Sequence, residues 1–96
     1  MTDTSMALII ATTARHGAEL LGGHVSIAFL AGRLEQVQSS MVDDFACHLQ
    51  GSDDIAEAVG RTGAAALQRV LPTVIDDARA NDLAKLVSDA WRRERD

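Results

Sequence analysis

The chain has 96 residues, 47% hydrophobic and 24% charged, with two Phe, one Trp, one Cys and a formal net charge of −5. That length holds one domain with one core, and the apolar fraction is too high for a disordered chain. A lone Cys47 excludes an internal disulfide framework, and the acidic balance argues against a phosphate backbone as ligand. Much of the apolar fraction is alanine, so the core is expected to form from closely approaching helices. Small cores are weak, which makes a partner subunit the default expectation.

No apolar run approaches the ~18 residues of a membrane span. Asp3, and the absence of Lys or Arg before the run MALIIA, speak against a secretory leader, so a cytoplasmic location is expected. Eight of the nine basic residues are Arg, a usage associated with GC-rich bacterial genomes.

From Met6 to Leu21, helical spacing aligns Met6, Ile10, Ala14, Ala18 and Leu21. Thr12, His16 and Glu19 fall opposite, and Leu8 and Ile9 are out of phase. Gly22 and Gly23 end this helix, because glycine readily takes the left-handed conformation that closes one. Over 24–50 a single phase runs through Ile27, Leu30, Ala31, Leu34, Val37, Met41, Phe45 and Leu49. Ser39 and Ser40, with Asp43 following, would also suit the start of a new helix. The unbroken phase favours one long central helix, about 40 Å in length. Such a helix overshoots a compact globule of this size, leaving its far end for a second chain to cover.

After Gly51, Asp53 or Asp54 caps a helix running to about Leu71. Its apolar arc is wide: Ile55, Val59, Ala66 and Val70 make one stripe, with Leu67, Leu71, Ala56, Gly60 and Gly63 on the shoulder. A helix apolar over so much of its surface needs cover from two sides. Pro72 opens a further helical segment with Val74, Ile75 and Ala78. The last helix carries Leu83, Leu86, Val87, Ala90 and Trp91 on one face. Nothing in the chain alternates as strands do, so the expected fold is all-α, with four or five helices around the long one, as a single domain over 1–96 and a helical homodimer.

The residues that could carry chemistry are few. His16, His24, Cys47 and His48 lack the local spacing of a zinc site, so no metal and no cofactor are expected. Cys47 and His48 are sequence neighbours and point about 100° apart on a helix, which does not make a dyad. The acid pair Asp53–Asp54 reads as a helix cap, Asp76–Asp77 as an early position in the Pro72 helix that favours negative charge, and Asp43–Asp44 as solvated surface, so no catalytic residue and no small-molecule substrate are expected. Gly60 and Gly63 lie inside a helical pattern and serve close packing rather than phosphate binding. A helix-turn-helix reading offers Arg61, Gln68 and Arg69, but in acidic surroundings, so nucleic acid is not an expected partner.

What remains is apolar surplus. Val25 and Phe29 project away from the main stripe, and Leu67 and Leu71 extend their helix's arc. Met41, Val42, Phe45 and Leu49 lie at the far end of the long helix. These eight side chains are the candidate partner-binding residues. They point to a small regulator that occludes a hydrophobic or dimerisation surface on another protein, such as a transcription factor, a toxin or a defence component. A structural or assembly subunit would use the same surfaces.

Overall fold

The structure, a computed structural model, describes residues 6–95. Its first helix, α1 (Met6–Leu20), stops at the glycine pair. Gly22 and Gly23 take φ of +70° and +77°. The Gly23 N–H donates to Ala18 O at 2.9 Å and the Gly22 N–H to Glu19 O at 3.0 Å. These two bonds are the Schellman closure that the glycine pair predicts.

The single long helix is replaced by two, α2 (Ile27–Glu35) and α3 (Gln38–Gln50). Val37, at φ −113° and ψ 21°, leaves helical geometry between them. The Gln36 and Val37 amides bond three residues back, to Arg33 O and Leu34 O, and the helical ladder restarts with Met41 N–H on Val37 O. The break has a packing cause: α2 lies mainly on α1, whereas α3 lies mainly on α4. A straight helix of about 40 Å would not fit a molecule whose longest extent is 36 Å. The predicted overhang therefore does not exist, and its far end folds back onto the bundle.

The central helix is α4 (Ile55–Val70), which packs against all four others. Its wide apolar arc is covered from several sides, as its pattern predicts. Asp54 caps it, accepting from the Ala56 and Glu57 amides at 3.0 and 3.4 Å. Gly60 and Gly63 are the closest approaches. A methyl group on Gly60 would collide with Ser88 and the Ala84 backbone of α5 (Asp77–Arg95), and one on Gly63 would collide with Thr13 of α1.

No separate helix follows Pro72. The Val74 and Ile75 amides turn back onto Leu71 O, Ile75 inserts fully into the core, and Asp76 caps α5 by accepting from the Arg79 amide at 2.8 Å. Pro72 thus begins a turn, and Ile75 anchors it.

Buried side chains from all five helices form one core, centred on Ile9, Leu30, Leu34, Met41, Leu67 and Val87. Thr12 and His16, expected on the outer face of α1, are buried as well. Their helix is covered by α2, α4 and α5, so its two faces are both interior. The structure is all-helical among the described residues, and none of its helices is long and apolar enough to cross a membrane.

Candidate interaction surface

α3 divides into three sectors. Met41 points inward and is completely buried. One flank is polar and tied to α4: Ser40 Oγ accepts from Arg69 Nη1 at 2.6 Å, and Asp44 Oδ2 lies 3.5 Å from Arg69 Nη2. The helical repeat places Val42, Phe45, Ala46 and Leu49 on the other flank. Phe45 is half-buried against the core, Val42 and Leu49 are 49% and 37% exposed, and Ala46 is exposed. Gln50, Asp43 and Ser39 form the solvated edge beside them. α3 thus presents an apolar strip with a polar border.

The eight candidate residues divide accordingly. Met41 and Leu67 have no exposure and belong to the core, so neither is available to a partner as the fold stands. The bend at Val37 carries Met41 inward, and Leu67 fills the space above Gly17, whose hydrogen leaves room for its Cδ2 atom. Val25, Phe45 and Leu71 are partly buried against the core. Phe29 is 52% exposed on α2, whose Leu30 and Leu34 face inward instead. Val42, Leu49 and Phe29 remain as open apolar surface.

Other exposed apolar side chains did not stand out in the sequence. Leu8, Ile27, Ile55 and Leu86 are 39–49% exposed, although Ile27, Ile55 and Leu86 match the phase of their helices. Ile27 and Ile55 each open their helix, where the chain enters from outside the core.

A second feature lies along the open side of the α4–α5 pair. Two cavities of about 340 and 360 Å³ share Arg61 and Ala84. Glu57, Lys85, Asp89 and Arg92 line the first, and His48, Gln68 and Asn81 the second. The floor consists of small side chains, Ala64, Ala80, Ala84 and Ser88 among them. The spacing Ala80, Ala84, Ser88 is legible in the sequence as a strip of small residues on one face of the last helix.

Of the other polar candidates, Cys47 is exposed and free. The Nδ1 atom of His16 lies 2.9 Å from Glu19 Oε1, a local pair within α1. No group of three His, Cys, Asp or Glu side chains among the described residues could hold a metal ion. The titration of the Asp54 carboxylate is displaced. Its hydrogen bond from the Arg92 guanidinium, aided by the Glu57 and Ala56 amides, holds it below its ordinary value against a smaller opposing effect of burial. Comparison with protein-family models, curated proteins and solved structures returned no match, so the functional reading rests on this chain's own surface.

Proposed function

We propose that this protein is a small regulator that acts by stoichiometric binding to another protein, covering a hydrophobic or dimerisation surface of its target. The observation that carries the reading is the apolar flank of α3, where Val42 and Leu49 remain open on a helix whose other two sectors are satisfied within the chain. A helix bearing such a strip, edged by Ser39, Asp43 and Gln50, is suited to lie in an apolar groove.

Magnitudes limit what this strip does alone. Burying the exposed parts of Val42 and Leu49 supplies on the order of 1 kcal/mol each. A micromolar complex needs about 8 kcal/mol net, so the target must also engage a larger anchor. Phe29 is the most exposed of the large apolar side chains and suits that role.

Two copies of the chain could pair through the same flank, which is the homodimeric form of the proposal. Sedimentation of the purified chain separates self-association from capture of a different protein. The deciding experiment compares wild type with Val42→Asp and Leu49→Asp. The proposal expects a partner held in fixed ratio by wild type and lost from both variants, with helix content unchanged by circular dichroism. Retention by both variants, or recovery only within a large fixed assembly, would overturn it.

A further inference from the structure

The chain divides at Val37 into two packing units. On one side, α2 packs mainly on α1; on the other, α3 and α5 pack mainly on α4. The contacts that hold the units together all bridge this point in the chain: Thr13 against Gly63, Gly17 against Leu67, and Arg15 with Glu94 at 2.7 Å. Gln36, at φ −67° and ψ −22°, is already close to helical, so Val37 makes the bend. Rotation of Val37 by about 50° in φ and 60° in ψ would bring it to α-helical values. Residues 33–50 contain neither Pro nor Gly, so no covalent feature of the chain fixes the break.

A straight helix is compatible with the same residues. Leu30, Leu34, Val37, Met41 and Phe45 keep one helical phase across the bend. In the bent form α3 starts without a side-chain cap. In a continuous helix the amides of Gln38, Ser39 and Ser40 would bond to the carbonyls of Leu34, Glu35 and Gln36. Straightening carries α1 and α2 off their own α4 and uncovers Leu30, Leu34 and Leu67, all fully buried in the folded chain. The surface that fits them is the one they left, and a second copy of the chain supplies it.

We propose that two copies of this chain exchange their α1–α2 units, with residues 27–50 of each forming one continuous helix. The α1–α2 unit of one copy then packs on α3, α4 and α5 of the other. Thr13 meets Gly63, Gly17 meets Leu67 and Arg15 meets Glu94 as before, now between chains, so the exchange keeps the core packing and adds helical hydrogen bonds. Tethering of the two units favours the bent monomer at low protein concentration, and high concentration favours the exchanged dimer. The device is separate from the α3 flank, because Leu49 lies about 18 Å from Val37 along the straight helix.

The test refolds the full chain from urea at about 1 mM, comparable to the effective concentration of tethered units, and separates the products by size. A dimer is expected. When equal amounts of ¹³C-labelled and unlabelled chain are refolded together, isotope-filtered NMR should show the Thr13–Gly63 contact between a labelled and an unlabelled chain. Insertion of Gly-Gly-Ser between Val37 and Gln38 interrupts the straight helix but allows the bent form, and should lower the dimer fraction about tenfold or more at unchanged stability of the monomer. Leu49→Asp should exchange as wild type does, although it disables the α3 flank. Absence of a dimer, a Thr13–Gly63 contact confined to single chains, or loss of the dimer in Leu49→Asp would overturn the proposal. The filtered contact is read on the wild-type chain and decides the matter even if the insertion prevents folding.

Discussion

Arg92, near the end of the last helix, donates to Asp54, the residue that caps the central helix. The two carboxylate oxygens divide the work: Oδ1 accepts from the Ala56 and Glu57 amides, and Oδ2 from the guanidinium. A local cap is thereby joined to a long-range contact between α4 and α5. Because Arg92 holds the folded-state pKa of Asp54 below its unfolded value, the contact's contribution is fully present above the unfolded value. It is lost as pH falls through the lowered folded value. Carboxyl titration by NMR should place the Asp54 midpoint below that of an unfolded aspartate, and Arg92→Met should move it upward. Both side chains are solvent-accessible, so roughly 1 M salt should remove much of the shift. An unchanged midpoint in Arg92→Met would count against the coupling.

Two helical glycines should respond in opposite directions to the same substitution. Gly60→Ala places a methyl group against Ser88 and the Ala84 backbone, where no flexible side-chain end can yield enough. It should cost about 1–3 kcal/mol, outweighing the gain in helix propensity. Gly32, in α2, has nothing within 4 Å of an added Cβ. Gly32→Ala should therefore stabilise by up to ~1 kcal/mol. Thermal unfolding should lower Tm in the first variant by roughly 4 °C or more and raise it in the second.

The parts of this fold that were legible in the sequence are those fixed locally. Gly22–Gly23 and Asp54 act within a few residues of themselves, and each closes or opens a helix as its chemistry requires. The interruption at Val37 was not legible, because the apolar phase continues through it. Leu34 and Met41 are both fully buried and share one helical stripe whether or not the backbone bends between them. Only the placement of α1 and α4 demands the bend. The same limit governs the candidate site: periodicity assigns Met41 and Val42 to adjacent sectors but does not say which sector the rest of the chain covers. His16 fails for a related reason, since α1 is covered on a face that its own pattern marks as polar.

The break also gives α3 a poorer start than α2, α4 or α5. Ser26, Asp54 and Asp76 each offer a side-chain oxygen to an amide of the helix that follows, whereas Val37 offers none. The amides of Gln38, Ser39 and Ser40 should then exchange with solvent faster than those of Phe29, Ala56 and Arg79. A cap is worth about 1 kcal/mol, so the difference in protection should be roughly fivefold. Equal protection at these positions would show that the Val37 turn is held by something other than its own hydrogen bonds.

Met41 and Val42 are adjacent in sequence and should behave oppositely. Met41 is fully enclosed, so Met41→Ala leaves a cavity and should cost about 2–5 kcal/mol, as should Leu67→Ala at the equally buried site on α4. Val42 is 49% exposed, and Val42→Ala should stay within about 0.5 kcal/mol of wild type in chemical denaturation. Trp91, buried in α5, supplies the fluorescence signal for both measurements. If Val42→Ala proved as costly as Met41→Ala, the flank of α3 would be part of the folded interior and unavailable to any partner. If it is neutral, the apolar area at Val42 does little for the fold of the isolated chain, which is the physical condition that a binding role for this helix requires.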